Sequence, residues 1–378
     1  MKKIATLLAA FLMLASLSSP VYAEDNNKVD ASAALVMEVE TGRVLYEQNA
    51  DQSLPMASTT KIMTALVALE DGNLDDTVTV SANASGVEGS SLYLKIGEKI
   101  KLRDLLYGLM LQSGNDAAVA IAEHVGGSLE GFMEMMNRKA QELGASGSQF
   151  TNPHGLSAEG HYTTARDLAV ISAAALRHEL FAQIVSTKYH EIAATNKTGG
   201  RALKNKNKLL WNYEGGSGIK TGYTKNAGRC LVSSAEKEDM QVVCVVLNCY
   251  NMFEDSIQLL DNAYGDYGKY PVFEKGAYLK TITIEDGVEE TLDAYVAEDT
   301  SLPLTWEEFE RVECRVTLPA TLQAPVEPGQ ELGTLEAWLD GELVASQKIL
   351  ADKEIEKISL GYLLRKIINN WYIPSFEW

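Results

Sequence analysis

An α+β fold is predicted for this chain: one antiparallel sheet covered by helices, then a small all-β domain, then an amphipathic helix. Three observations predict it. Strand-like runs stand at both ends of residues 24–268, with helical periods between them. From 269 to 352 the pattern turns to short alternating runs broken by Gly and Pro. From 353 to 378, Leu360, Leu363, Leu364, Ile367, Ile368 and Trp371 recur at helical spacing, with Arg365, Lys366, Asn369 and Asn370 on the other side. A chain of 378 residues has room for two domains, and 46% hydrophobic with 22% charged residues is an ordinary globular composition.

Residues 1–23 stand apart from the fold. "MKK" is a short basic start, "IATLLAAFLMLASL" an apolar run, and "VYA" before Glu24 ends in a small residue. This is the pattern of a secretory signal peptide, so the mature protein is expected outside the cytoplasm. No cysteine follows the run, and nothing supports a lipoprotein.

The elements of 24–268 follow in order. Runs at 33–39 and 43–48 flank Glu40-Thr41-Gly42 and read as a hairpin. "PMASTTKIMTALVALEDG" reads as an apolar helix headed by polar residues. Helices are expected at 102–111 and 116–125, joined by "QSGN", then at 129–143 and at 164–176, where a threonine pair can cap the start. A basic stretch, "NKTGGRALKNKNKLLWNYEGGSG", comes next. "GIKTGYT" and "RCLVSSAE" read as strands joined by "KNAG"; "MQVVCVVLNCY" is a third, and a helix near 254–268 closes the unit.

The formal net charge is −19, and loss of the leader with Lys2 and Lys3 makes it −21. Such a surface repels phosphate backbones, so no nucleic-acid partner is expected. Cys230, Cys244, Cys249 and Cys314 match no zinc spacing, and the five histidines form no H-E-x-x-H pattern, so neither a metal nor a cofactor is called for. Cys230 and Cys244 fall in apolar strand-like runs and are read as buried thiols. The apolar tail is too short to span a bilayer and suits a helix lying on a membrane surface; the other reading is a helix docked on its own domain.

Chemistry concentrates in three short motifs. Ser58 and Lys61, at i and i+3, share a face at the head of a helix, where free N–H groups and the dipole favour an oxyanion. A lysine normally holds its proton to about pH 10.4, but burial and a neighbouring cation lower that value, which makes it a usable base. S-x-x-K alone is weak; Ser58 could equally cap the helix while Lys61 reaches solvent. Ser113-Gly114-Asn115 lies in the turn between two helices, where a plain connector capped by Asn115 or Asp116 is the competing reading. Lys220-Thr221-Gly222 lies in a strand, where the competing reading is a protective edge lysine. All three in this order form the set shared by class A β-lactamases and penicillin-binding proteins.

With these motifs in place, the chain resembles the low-molecular-mass penicillin-binding proteins, the serine-type D-alanyl-D-alanine carboxypeptidases of peptidase family S11. "PMASTTKIMTA", "EGSSLYLKIGEKIKLRDLLYGLMLQSGNDAA", "FTNPHGLSAEGHYTTARDLA" and "SGIKTGYTKNAGRCLVSSA" carry the resemblance. It implies a β-lactamase/transpeptidase-like fold for 24–268 and a reaction on peptidoglycan pentapeptides ending in D-Ala-D-Ala, with β-lactams as inhibitors. Ser58 would be the nucleophile and Lys61 its base. Ser113 would relay a proton to the leaving amine. Asn115 would bind the peptide and steady Lys61. Lys220 would attract the terminal carboxylate and Thr221 hydrogen-bond it. Gly222 completes the motif, and the N–H groups of Ser58 and Tyr223 would form the oxyanion hole. Lys206 and Lys208 are further carboxylate-binding candidates. His154, in "NPHGL", reads as part of a structural turn rather than as a base.

Three other functions stay in view: a β-lactamase, for which no E-x-x-L-N phrase follows the second motif; a DD-endopeptidase acting on cross-links; and a non-catalytic wall-binding protein.

Overall fold

The computed structural model of the chain describes residues 28–371; the signal peptide expected at 1–23 lies outside the described residues, as do 372–378 of the tail. The chain opens with the hairpin β1 (Ala31–Glu38) and β2 (Val44–Gln48). A 3-10 turn, Ala57–Thr60, runs straight into α1 (Lys61–Asp71). Two short strands, β3 (Thr77–Thr79) and β4 (Lys99–Lys101), pair before α2 (Leu102–Leu111), α3 (Asn115–Gly126) and α4 (Leu129–Glu142). α5 (Ala165–Leu176) and α6 (Glu179–Ser186) follow, then the paired β5 (Tyr189–Ile192) and β6 (Arg201–Lys204) and the single turn α7 (Leu209–Asn212). β7 (Gly216–Thr224), β8 (Gly228–Lys237), β9 (Met240–Cys249) and α8 (Met252–Asp266) complete this part.

The main sheet has the order β2-β1-β9-β8-β7, with every neighbouring pair antiparallel. The first hairpin therefore joins the last three strands, as the sequence pattern requires. One face packs on α1 to α6 through Leu35, Ile62, Leu66, Leu105, Val243 and Val245; the other packs on α8 through Val36, Val242, Val246 and Leu260. Cys230 and Cys244 are buried free thiols. The cap read at the start of α5 is present: Thr164 Oγ1 accepts from the Asp167 N–H at 3.0 Å.

The sequence reading passed over α6, β5 and β6. α6 is only eight residues long and follows α5 after two residues. β5 and β6 are short and largely exposed, so they show no alternation of apolar and polar residues. Their place is held instead by ion pairing. The fully buried Glu98, just before β4, receives Arg201 of β6 through two bonds of 2.7 and 2.9 Å, Thr195 and Thr198 hydroxyls at 2.9 and 3.1 Å, and the Lys95 N–H at 2.9 Å. Burial pushes its carboxyl up, but Arg201 and the other donors outweigh it and hold the group at about 2. A depressed carboxyl stabilises the fold above its ordinary value near 4.5, and that contribution is lost as pH falls toward 2. Glu98→Ala, which strands a partly buried guanidinium, is expected to cost about 3 kcal/mol in urea unfolding.

The second part is all-β apart from one turn of helix. β10 (Gly268–Phe273) pairs with β13 (Thr300–Leu304). β11 (Tyr278–Glu285) lies between β12 (Thr291–Tyr295) and β15 (Thr321–Gln323), and β16 (Glu331–Leu339) between β14 (Glu313–Thr317) and β17 (Glu342–Leu350). Ile282, Leu292, Val326, Leu335 and Ile355 form its core. Arg43 ties the two parts together: its guanidinium donates to Pro303 O at 2.6 Å and pairs with Glu308 at 2.5 Å beside α9 (Trp306–Phe309). The chain leaves this domain into α10 (Leu360–Trp371), whose Leu360, Leu363, Leu364, Ile367 and Ile368 are all exposed. Among the described side chains, these apolar residues are not docked on the body of the protein.

Candidate active site

The head of α1 sits where the helical layer meets β7, the edge strand. Ser58 is carried by the 3-10 turn, and Ala57 before it takes a left-handed φ of +49°, a strained conformation for a residue with a Cβ. β7 passes closely at this point. A Cβ on Gly222 would lie 3.1 Å from the Ser58 nitrogen and 3.1 Å from Met56 O, so glycine lets the strand approach the nucleophile's own amide. Tyr223, next along the strand, has an exposed side chain.

Lys61 does not reach solvent; its side chain is fully buried. Nζ lies 2.7 Å from Asn115 Oδ1, 2.6 Å from His154 O and 3.1 Å from Ser58 Oγ. Both carbonyl oxygens can only accept, so they take two amine hydrogens. On a neutral amine this leaves the lone pair facing the Ser58 hydroxyl. Burial, then the positive charges of Lys220 and Lys206, hold the Lys61 amine well below its usual range, with Asp116 opposing. Lys220 is also buried, which discards the protective edge-lysine reading. Its Nζ donates to Thr221 O at 2.8 Å, and burial and Lys206 bring it down to about 7. Thr221 is half-buried beside it on β7.

Ser113 and Asn115 come in on the turn between α2 and α3. Ser113 takes a left-handed φ of +62° and is buried; no hydrogen bond to its hydroxyl is found among the described residues. Asn115 begins α3, and its Nδ2 donates to Glu88 O at 2.5 Å, which turns Oδ1 toward Lys61. Asp116 does more than cap a helix. Its buried carboxylate accepts from the N–H groups of Leu92, Leu94 and Ala117 and from the Ser91 hydroxyl, fixing the 88–94 segment beside the site.

His154 acts through its backbone. Its ring Nδ1 accepts from the Leu156 N–H at 3.2 Å, and burial and the Lys61 charge hold the imidazole at about 4, too weak for a base. This agrees with the structural-turn reading. Sequence reasoning missed the support behind the nucleophile. His161 Nδ1 accepts from the Thr151 N–H, so Nε2 carries the hydrogen and meets Thr60 Oγ1 at 2.9 Å; that hydroxyl donates to Ala57 O at 2.8 Å. Gly155 packs over the same carbonyl: a Cβ there would fall 1.8 Å from Ala57 O, at a φ of +89°. Gly155→Ala must therefore displace the nucleophile's turn. Penicillin acylation, followed by gel labelling, is expected to slow about 10²-fold.

A serine facing a buried amine, with an edge strand and a second serine beside them, is the arrangement of a serine–lysine acyl-transfer enzyme. Comparison with known proteins gives the family. Residues 20–251 match peptidase S11, D-alanyl-D-alanine carboxypeptidase, and residues 267–357 match the penicillin-binding protein 5 C-terminal domain. The chain is 33% identical to D-alanyl-D-alanine carboxypeptidase DacF of Bacillus subtilis, over 98% of this chain and 99% of the relative. Against DacC of Escherichia coli it is 33% identical over 87% and 85%. Among solved structures it resembles penicillin-binding protein 5 of Haemophilus influenzae with a TM-score of 0.72 at 30% identity, covering 87% of this chain and 98% of that one. The Streptomyces K15 DD-transpeptidase aligns with a TM-score of 0.60 at 33% identity, over 63% of this chain and 98% of the other. The chain belongs to the S11 family of D-alanyl-D-alanine carboxypeptidases.

Proposed function

We propose that this protein is a serine-type D-alanyl-D-alanine carboxypeptidase that trims peptidoglycan stem peptides and is acylated by penicillin. The observation that carries the reading is the buried Lys61 amine, held by two carbonyl oxygens 2.7 and 2.6 Å away and 3.1 Å from Ser58 Oγ. Ser58 attacks the carbonyl between the two D-alanines while Lys61 takes its proton. The N–H groups of Ser58 and Tyr223 stabilise the oxyanion. Lys220 and Thr221 receive the terminal carboxylate, the feature that marks the end of a substrate, and Asn115 steadies both peptide and base. Ser113 passes the proton to the leaving amine. D-Alanine departs, and water hydrolyses the acyl-enzyme with Lys61 again neutral.

The test is D-alanine release from diacyl-L-Lys-D-Ala-D-Ala, with Ser58→Ala as control. Release that benzylpenicillin blocks and the variant lacks is the expected result, with a penicilloyl adduct on Ser58 by mass spectrometry. Absence of both release and adduct would sink the reading in favour of a non-catalytic wall-binding protein.

The site of action follows the sequence pattern: secretion through residues 1–23, then attachment to the outer face of the cytoplasmic membrane. α10 supports attachment, because its apolar side is exposed while basic Arg365 and Lys366 suit anionic headgroups. Among the described residues no single helix is long and apolar enough to cross a bilayer.

A further inference from the structure

The far end of β7 opens on a cavity of about 560 Å³ lined by Asp30, Tyr223, Gly228, Arg229, Asn248 and Tyr250. It is built across neighbouring strands of the main sheet. Tyr223 of β7 faces Arg229 of β8 in register; Asn248 lies near the end of β9, and Asp30 stands just before β1. Tyr223 directly follows Lys220-Thr221-Gly222, so the cavity begins where the third motif ends.

Asp30 and Arg229 are the charged residues of this lining, and among the described residues neither is ion-paired, with the other or with any other side chain. A cation and an anion that share one cavity yet leave each other free suit a ligand that carries both charges. Each is held from behind. The Arg229 guanidinium lies 4.7 Å from the centre of the Tyr250 ring and donates through Nη1 to Tyr250 O at 2.9 Å, which leaves the Nε and Nη2 hydrogens to spare. The Asp30 N–H donates to Asp255 Oδ2 at 3.1 Å, which fixes the backbone without using the Asp30 carboxylate. Asn248 takes a left-handed φ of +49°, and its Nδ2 donates to Ser32 Oγ at 2.8 Å. Its Oδ1 lies over Gly228, where a Cβ would come within 2.1 Å, so glycine is what leaves that acceptor in place.

The direction of the substrate decides which part of it reaches the cavity. In the carboxypeptidase reading, on which this inference rests, the terminal carboxylate meets Lys220 and Thr221, and the scissile carbonyl meets the Tyr223 N–H. A peptide so placed runs antiparallel to β7, and its upstream residues continue past Tyr223 toward the turn into β8. The residue before the two D-alanines comes next, level with Thr224. Strands lie about 4.8 Å apart, so a long side chain there reaches Arg229 one strand in.

We propose that this cavity is a specificity subsite for the stem-peptide residue before the two D-alanines, and that it selects a diamino diacid whose side chain ends in a free ammonium and a free carboxylate. Arg229 takes the carboxylate. Asp30 and Asn248 Oδ1 take the ammonium, and Tyr223 and Tyr250 cover the methylene stem. A lysine at that position offers the ammonium but leaves Arg229 without a partner.

The experiment measures kcat/KM for D-alanine release from N-acetyl-L-Ala-γ-D-Glu-X-D-Ala-D-Ala, in which X is meso-diaminopimelate, its side-chain carboxamide or L-lysine. Wild type is expected to prefer the first over the other two by about tenfold or more, the worth of one hydrogen-bonded charge pair. In Arg229→Gln that preference should vanish, while release from the lysine peptide and penicillin acylation stay within about twofold of wild type. Asp30→Asn should slow all three peptides, whose ammonium it receives, about threefold or more, again without touching acylation. Equal wild-type rates on the diaminopimelate and carboxamide peptides, with release and acylation intact, would overturn the subsite. So would an Arg229→Gln loss of the same size on all three. Absence of both release and a penicilloyl adduct would instead bring down the carboxypeptidase reading.

Discussion

Lys61→Gln is expected to slow penicillin acylation about 10²–10⁴-fold while the protein stays folded. The glutamine amide can still offer hydrogens toward Asn115 Oδ1 and His154 O, the two acceptors now 2.7 and 2.6 Å from Nζ. It has no basic lone pair to turn toward Ser58. Stopped-flow acylation separates this from unfolding, because near-UV circular dichroism should be unchanged. The wild-type pH profile carries the same argument. kcat/KM for the peptide should rise with pH as Lys61 loses its proton, at a pH well below the ordinary lysine range because of burial and the Lys220 charge. It should fall again as pH passes about 7, where the free enzyme's Lys220 stops being a cation. In kcat that upper limb should lie higher, since a bound carboxylate holds the Lys220 proton. A profile with no fall up to pH 10 would overturn the assignment of the upper limb to Lys220.

Asp116→Ala is expected to cost about 3–5 kcal/mol, because it strands several buried donors at once. Leu92, Leu94 and Ala117 lose the acceptor for their N–H groups, and Ser91 loses its partner at 2.6 Å. Freed of these bonds, the 88–94 segment no longer presents Glu88 O to Asn115, and the Lys61 clamp loosens. Urea unfolding reads the first effect. Asp116→Asn reads a second: it removes a negative charge that favours the Lys61 ammonium, so the acid limb of acylation should move to lower pH. An unmoved limb would show that Asp116 acts on the site through packing alone.

The split between what the sequence disclosed and what it hid has a physical basis. The sheet, the helices and the three motifs were legible because their signals are local: apolar period, capping threonine, short turns. Ser58 and Lys61 share a face at i and i+3, so their contact is written in their spacing. Asp116 was legible only as a cap, because its partners at 91–94 lie more than twenty residues away. His161, Thr60 and Gly155 act on a carbonyl, and nothing in a sequence marks the residue whose backbone oxygen needs support. A cavity beside the second motif was visible only as a basic stretch. Its lining comes from the end of β6, from α7 and from Gln112, the residue before Ser113, segments that only folding brings together.

The edge position of β7 carries a consequence for solubility. An edge strand is a template on which another chain can polymerise, and proteins usually blunt it with charge or proline. Here the residues at the working part of that edge, Lys220 to Tyr223, keep it open: the lysine is turned inward and buried, and the glycine has no side chain to obstruct approach. In the proposed function, a stem peptide laid along this edge would complete the sheet in the manner of β-augmentation. The same open edge that would admit a stem peptide is a surface for self-association when no ligand occupies it.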